Sequence, residues 1–148
     1  MNKEIFIHKQ QNENSPFQMF ENWFSEAKQN TEIKDATAFT LATSSKGGRP
    51  SIRMMLCKQF NNEGLIFFTN ENSQKGKCLI ANPQAEACFY WEALGKQVRI
   101  YGKVEAIANE DSDAYFNARH INSQIGACVS KQSSVLGSYT QLQEEFAS

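Results

Sequence analysis

Short apolar runs separated by turn residues fill the middle of the chain, between residues 36 and 107, and limit the fold more than any other feature. The runs are rich in aromatic and β-branched residues and end at Gly, Asn, Ser or Pro, a pattern typical of β-strands. The second and third runs flank the turn sequence Asn61-Asn62-Glu63-Gly64, which predicts a hairpin. The predicted strands are 38–43, 51–60, 65–69, 85–91 and 97–107.

Strands at such close intervals leave room only for brief helices between them. This spacing favours an antiparallel sheet that curls into a small barrel over a parallel βαβ sheet. A chain of 148 residues is long enough for one domain with a real core and too short for two of ordinary size. We therefore predict a single, mainly β domain with short helices, in which residues 1–14 form a flexible N-terminal arm.

Three segments have the signals of helices. Residues 15–18, Ser-Pro-Phe-Gln, combine a capping serine, a proline at the first helical position and the glutamine of a capping box. Apolar residues then recur at helical spacing, which predicts an amphipathic helix over about 16–29. A short helix is predicted between Ser73, its capping residue, and Pro83, and another over about 110–119.

Charge and composition restrict the partners of the chain. The formal net charge of −1 gives no long-range attraction for nucleic acid, so basic residues are expected to act locally, as in a pocket. There is no apolar stretch suited to a signal peptide, and no run approaches the ~20 apolar residues of a membrane span. These features predict a cytoplasmic protein with a small-molecule partner and without nucleic acid or membrane contacts.

The cysteines are widely spaced, without a C-x-x-C pair and with only two histidines as potential metal partners. We interpret them as buried thiols in a reducing compartment, not as disulfides or metal ligands. They are Cys57, Cys78, Cys88 and Cys128.

Sequence motifs of several familiar catalytic sites are absent. The chain has neither G-x-x-x-x-G-K-[ST] nor G-x-G-x-x-G, the usual backbone cradles for nucleotides. It also lacks the G-x-S-x-G and H-E-x-x-H motifs of hydrolases. If the protein is an enzyme, a bound cofactor is therefore expected to carry the reaction, and no side chain is assigned as an acid or base.

Basic residues near predicted strand and helix ends indicate sites for anions. Arg53 and Lys58 lie five positions apart in the run SIRMMLCK, so strict alternation places them on opposite faces of a strand. They could serve two different phosphates, or both could be solvated residues of an edge strand. In TNENSQKGK, Thr69 and Ser73 offer hydroxyls and Lys75 lies in the first turn of the predicted short helix, where backbone N–H groups can bind an anion. The alternative is a solvated lysine without a ligand.

Polar residues also cluster toward the C-terminal end. Tyr115 and Arg119 are four residues apart on a predicted helix, and Ser123 follows its end. These groups would suit a phosphate monoester, although a tyrosine–arginine pair can equally be a surface packing pair. The stretch SQIGACVSKQSS (123–134) surrounds a small apolar centre with amides and hydroxyls. It could hydrogen-bond a cofactor ring or ribityl chain, or form a loop with water partners.

Together these segments resemble the pyridoxine (pyridoxamine) 5'-phosphate oxidase family, the FMN-dependent split-barrel enzymes of vitamin B6 metabolism. The resemblance covers nearly the whole chain, beginning with the helix SPFQMFENWF. It implies an FMN-binding split β-barrel that is antiparallel and Greek-key-like. The matching segments are GRPSIRMMLCK (48–58), GLIFFTNENSQKGK (64–77), KQVRIYGKVE (96–105) and YFNARHINSQIGACVSKQSS (115–134).

The resemblance also implies the residues of two sites. The expected FMN contacts are Arg53, Met54, Met55, Leu56, Cys57, Lys58, Phe68, Thr69, Gln74, Lys75, Gln97, Gln132 and Ser133. The expected contacts of the substrate phosphate are Lys58, Tyr115, Arg119 and Ser123. Because the family often has an arginine where this chain has Gln74, one positive charge at the FMN phosphate is missing and a lower affinity is expected.

The implied activity is FMN-dependent oxidation of pyridoxamine or pyridoxine 5'-phosphate to pyridoxal 5'-phosphate, with O2 as acceptor and H2O2 as product. A homodimer with FMN between its subunits is implied as well. Members of the family continue past the position of Ser148 with a tryptophan-glycine stretch and an Arg-x-His-Asp-Arg stretch that close over substrate and flavin. The alternative is therefore a C-terminally truncated flavin-binding split-barrel protein without B6 oxidase activity.

Overall fold

The structure is a computed structural model that describes residues 16–107 together with the backbone of residues 2–6. It also describes positions 120, 121, 132, 133, 135, 138–140, 143 and 144. The helix predicted over 110–119 and the capping residue Ser15 lie outside the described residues.

Over residues 2–6 and 16–107 the chain forms nine strands and two α-helices, together with a single 3₁₀ turn at Glu92–Leu94. The helices are α1 (Pro16–Gln29) and α2 (Gln74–Ala81), and both predictions for these segments are confirmed. The strands are β1 (Asn2–Phe6), β2 (Ala38–Ser44), β3 (Pro50–Leu56), β4 (Gln59–Asn61), β5 (Gly64–Ile66), β6 (Phe68–Asn70), β7 (Gln84–Trp91), β8 (Lys96–Lys103) and β9 (Glu105–Ala106).

Every strand pairing in the described residues is antiparallel, as the sequence predicts. Four strands form the largest sheet, in the order β3-β2-β7-β8, and two smaller sheets have the orders β6-β1-β9 and β4-β5. Neither described helix combines the length and the apolar composition that a membrane span requires.

The predicted strand over 51–60 is wrong in one respect, because the chain changes partners in its middle. The backbone N–H of Cys57 donates to the carbonyl oxygen of Thr37 at 2.8 Å, whereas that of Lys58 donates to Ile66 at 2.9 Å. The first half of the run, β3, therefore pairs with β2, and only the second half, β4, forms the predicted hairpin with β5.

The expected N-terminal arm also needs correction over residues 2–6. These residues form β1, which pairs with β6 on one side and with β9 on the other. Because the strands that pair with β1 are distant in the sequence, no local sequence pattern predicts this strand.

An aromatic cluster joins α1 to the large sheet and forms the centre of the core. The Phe20 ring lies 5.1 Å from the Phe89 ring, and the Phe24 ring lies 4.9 Å from the Phe60 ring, both edge-on. The indole Nε1 of Trp91 donates to the carbonyl oxygen of Ala36 at 3.1 Å, so its polar atom is satisfied inside the core. Aromatic pairs in this geometry add to the free energy gained by burying the rings.

The large sheet has an inner face against this core and an outer face with exposed apolar residues. Side chains alternate between the faces along each strand. On β3, Arg53 lies opposite the buried Leu41 of β2 and so belongs to the inner face. The exposed apolar side chains on the outer face are Ile52, Met54, Leu56, Tyr90 and Tyr101.

The interpretation of the cysteines as buried thiols holds for Cys57 but not for Cys78 and Cys88, which are half-buried. The Cys57 Sγ donates to the carbonyl oxygen of Gln59 at 3.3 Å, and burial raises the pKa of this thiol to about 12. Cys57 is therefore a protonated, unreactive core residue at neutral pH. Cys128 lies outside the described residues.

Because Phe24 is buried in the aromatic cluster, we predict that Phe24→Ala lowers the free energy of unfolding by about 3–5 kcal/mol. Met19 is on the same helix but is exposed, so Met19→Ala is the matched control and should change stability by less than about 0.5 kcal/mol. Urea unfolding of both variants measures the difference. Equal losses in the two variants would contradict the assigned core.

Candidate functional site

The start of α2 is tied to the end of β6 through Ser73, which is fully buried. The Ser73 Oγ donates to the carbonyl oxygen of Asn70 at 2.6 Å and accepts from the backbone N–H of Gly76 at 3.2 Å. The backbone N–H of Ser73 donates to the same Asn70 oxygen at 3.1 Å. Ser73 is therefore the N-cap that the sequence predicts, and it joins the helix to the preceding turn.

Gly76 brings the first turn of α2 against the backbone of that turn. A Cβ atom at this position would lie 2.4 Å from the carbonyl oxygen of Glu71 and 2.6 Å from that of Asn70. No side chain fits there unless the helix moves away from β6. Glycine disfavours a helix by about 1 kcal/mol relative to alanine, so a glycine in the first turn is a sequence signal for this close approach.

Lys75 is held next to this capped end, and its side chain is only 7% exposed. Its Nζ donates to the Oε1 of Gln132 at 2.6 Å and, more weakly, to the Oγ of Ser73 at 3.5 Å. Burial lowers the pKa of the Lys75 ammonium, and the neighbouring charge of Arg53 lowers it further. Both effects mean that the folded protein holds this positive charge at a cost.

Arg53 reaches the same region from the inner face of β3. Its guanidinium donates to the carbonyl oxygen of Leu41 and the Oγ1 of Thr43, both at 2.9 Å, and to the Oγ of Ser51 at 3.0 Å. All of these acceptors are neutral. Burial lowers the pKa of Arg53, although a guanidinium remains charged in proteins.

Arg53, Lys75 and Gln132 form what we call the phosphate cluster. In the part of the chain that the structure describes, the ion pairs involve other residues, and neither Arg53 nor Lys75 contacts a carboxylate. Lys75 is buried in the first turn of α2, and the charge of Arg53 further disfavours its ammonium, so an anion at this helix start would be favourable. A guanidinium, an ammonium and free backbone N–H groups are the donors that bind a phosphate monoester.

The remaining β3 residues expected to contact FMN lie on both faces of the sheet. Met55 shares the inner face with Arg53, and Cys57 beyond the strand is buried, whereas Met54 and Leu56 are exposed on the outer face. Gln97 is exposed opposite Tyr90, whose side chain is on the outer face. A ligand would thus need contacts on two sides of the sheet to touch all of these side chains.

Thr69 lies on β6, next to a cavity that Lys75 does not line. Thr69 is 7% exposed and lines a cavity of about 210 Å³ together with Gly76, Leu79 and Val104. Its Oγ1 has no hydrogen-bond partner among the described residues. Glu71, Ile80 and Ala106 complete the lining of this cavity, which therefore combines polar and apolar groups.

Other expected contacts lie near the cluster or near β6. Phe68 is half-buried on β6, and Gln74, the first residue of α2, is exposed. Ser133 follows Gln132 and has a positive φ of 66°, which places it in a tight backbone bend beside the cluster.

The expected substrate-phosphate contacts are less fully described. Lys58 is exposed beyond the end of β3 and lines a separate cavity of about 320 Å³ with Lys28 and Thr37. Tyr115, Arg119 and Ser123 lie outside the described residues. The clamp for the substrate phosphate therefore stays a prediction.

Comparison with known proteins places the chain in a family. The family model described as pyridoxamine 5'-phosphate oxidase matches residues 25–147. The chain is 48% identical over 127 residues to the pyridoxine/pyridoxamine 5'-phosphate oxidase of Pelagibacter ubique, covering 86% of this chain and 61% of that protein. It is 49% identical over 121 residues to the pyridoxine-5'-phosphate oxidase of Bos taurus, covering 82% of this chain and 46% of that one.

Two crystal structures resemble the fold. PhzG from Burkholderia lata, solved with tetrahydrophenazine-1-carboxylic acid, has a TM-score of 0.85 at 26% identity and covers 89% of this chain and 65% of its own. An FMN-binding, pyridoxamine 5'-phosphate oxidase-related protein from Nostoc punctiforme has a TM-score of 0.64 at 20% identity, covering 78% of this chain and 64% of its own. The family match, the sequence identities and this shared architecture show that the chain belongs to the pyridoxamine 5'-phosphate oxidase family and has its split-barrel fold.

Proposed function

We propose that the chain binds FMN, with the flavin phosphate in the phosphate cluster. The observation that carries this proposal is the pair of neighbouring cations, Arg53 and Lys75, without a carboxylate partner among the described residues. A phosphate dianion would replace the repulsion between them with two charge-assisted hydrogen bonds. Such bonds are worth about 1.5–3 kcal/mol each.

The residues present fit this cofactor. The acceptors around Arg53 fix its guanidinium at the inner face, and the capped start of α2 fixes the backbone around Lys75. FMN, when bound, supplies the two-electron redox chemistry that side chains lack. The chain's own residues bind the cofactor and hold it in a defined orientation, and orientation of reactants contributes much of the rate in such enzymes.

We further propose that the chain acts as a pyridoxine/pyridoxamine 5'-phosphate oxidase, which uses O2 and releases H2O2. Relatives with 48% and 49% identity carry this activity in their names. In this proposal Lys58, Tyr115, Arg119 and Ser123 bind the phosphate of the substrate. The free thiols of Cys57, Cys78 and Cys88 fit a cytoplasmic location, where thiols stay reduced.

The alternative is a flavin-binding split-barrel protein without this oxidase activity. The chain spans 61% and 46% of the length of these two relatives, so the activity of the whole protein is a proposal for this chain.

Purification followed by an oxidase assay distinguishes the two functions. We expect the protein to carry a yellow flavin and, with pyridoxamine 5'-phosphate in air, to form pyridoxal 5'-phosphate and H2O2 in equal amounts. A yellow protein that forms no product would favour the alternative. A colourless protein that cannot be reconstituted with FMN would contradict both functions.

For the phosphate cluster, we predict that Lys75→Ala weakens FMN binding by about 10- to 100-fold, the loss expected for one charge-assisted hydrogen bond. Riboflavin, which lacks the phosphate, should bind both proteins with similar affinity. Lys77 lies on the same helix but is exposed, so Lys77→Ala is the matched control and should leave FMN binding unchanged. Calorimetric titration measures all of these affinities, and equal losses for FMN and riboflavin would argue against a phosphate contact at Lys75.

The outer face of the large sheet supports the proposal of a homodimer with FMN at its interface. Met54 is 65% exposed and Tyr101 is 81% exposed, and both lie on this face with further apolar residues. Large apolar side chains exposed on one sheet face, here around a Glu86–Arg99 ion pair, favour a surface that another protein covers. Because expected FMN contacts lie on both faces, a second copy would supply those that a single copy cannot bring to the cluster.

We predict that Met54→Lys shifts the protein from dimer to monomer at micromolar concentration, because it buries a charge in the proposed interface. Met19→Lys is the matched control, since Met19 is also an exposed methionine but lies on α1, away from the outer face. Light scattering coupled to size-exclusion chromatography gives the mass of each variant. If both variants remain dimeric, the interface lies elsewhere.

A further inference from the structure

Ser73 makes more hydrogen bonds than a helix cap requires. Its Oγ donates to the carbonyl oxygen of Asn70, accepts from the backbone N–H of Gly76 and accepts a longer, weaker hydrogen bond of 3.5 Å from the Nζ of Lys75. A hydroxyl has one hydrogen and two lone pairs, so these three bonds use its full capacity. Since Ser73 is fully buried, no water competes for them.

The Ser73 hydroxyl therefore links the turn at Asn70, the start of α2 and the ammonium of Lys75. A lysine side chain has about 2 kcal/mol of rotamer entropy, part of which is lost when its ammonium binds a phosphate. Holding the side chain in place before binding reduces this loss and so raises the affinity. Ser73 Oγ and Gln132 Oε1 hold the ammonium of Lys75 through neutral acceptors. Neither acceptor neutralises its charge, so the ammonium stays attractive to an anion.

Gly76 makes this arrangement rigid. Because a Cβ there would come within 2.4 Å of the Glu71 carbonyl oxygen, the glycine allows the first turn of α2 to lie directly on the preceding turn. The positions of Ser73 and Lys75 relative to each other are then fixed by the packing of Gly76 against the preceding backbone and by the hydrogen bonds of the Ser73 hydroxyl.

We infer that Ser73 is a positioning residue for Lys75 and that it sets the preference of the site for a phosphorylated flavin over riboflavin. This inference rests on the proposed function, since it assigns a role within the proposed FMN site. Ser73 acts through Lys75 in this account, whereas a purely structural cap would affect both ligands alike.

The test compares the affinities of FMN and riboflavin for three serine variants. Ser73→Ala should weaken FMN binding about tenfold and change riboflavin binding by less than about twofold. Ser73→Thr keeps the hydroxyl and should restore most of the preference for FMN. Ser45→Ala is the matched control, because the Ser45 Oγ accepts from the backbone N–H of Arg49 at 3.2 Å in a different turn. It should leave the ratio of the two affinities unchanged.

The outcomes separate this inference from the proposed function. If the unaltered protein binds neither flavin, both are wrong. The unaltered protein could instead bind FMN more tightly than riboflavin while Ser73→Ala lowers both affinities equally or changes neither. In that case only the role of Ser73 is wrong.

Hydrogen exchange in the unaltered protein provides a second test that does not depend on the folding of a variant. The Gly76 N–H donates to the Ser73 hydroxyl, so tighter engagement of Lys75 should slow its exchange. We expect FMN to protect the amide of Gly76 more than riboflavin does. Equal protection by the two ligands would overturn the inference.

Discussion

The site depends on the buried ammonium of Lys75, whose charged form is disfavoured by burial and by the charge of Arg53, and neither residue contacts a carboxylate among the described residues. Burial lowers the pKa of both Arg53 and Lys75, and the charge of Arg53 lowers that of Lys75 further. An arrangement that disfavours the charged forms is costly in the free protein and is relieved when an anion binds. In the proposed FMN site, this unfavourable electrostatic energy would supply affinity for a phosphate.

The fold holds these charges in place from two directions. Alternation along β3 directs Arg53 to the inner face, where neutral acceptors on β2 and β3 hold it. The helix α2 brings Lys75 from the other side, because Ser73 caps it and Gly76 lets it lie on the preceding turn. The aromatic core between α1 and the sheet keeps the sheet itself in position. Local caps and long-range packing thus both position the residues of the proposed anion site.

The sequence predicts those parts of the structure that depend on neighbouring residues. The bounds of α2 follow from a capping serine and a terminating proline, and those of α1 follow from its apolar spacing. The break between Cys57 and Lys58 could not be predicted, because it arises from hydrogen bonds to Thr37 and Ile66 in other strands. The contact of Lys75 with a residue 57 positions away could be expected only through the family resemblance.

The pKa of Lys75 tests the central claim most directly. NMR of isotopically labelled lysine, assigned with Lys75→Arg, can follow this ammonium in the free protein, with FMN and with riboflavin. A phosphate next to Lys75 stabilises its charged form, so FMN should raise a pKa that is lowered in the free protein, while riboflavin should leave it low. A pKa of Lys75 that is the same with FMN and with riboflavin would show that no phosphate lies beside it, and would contradict the account.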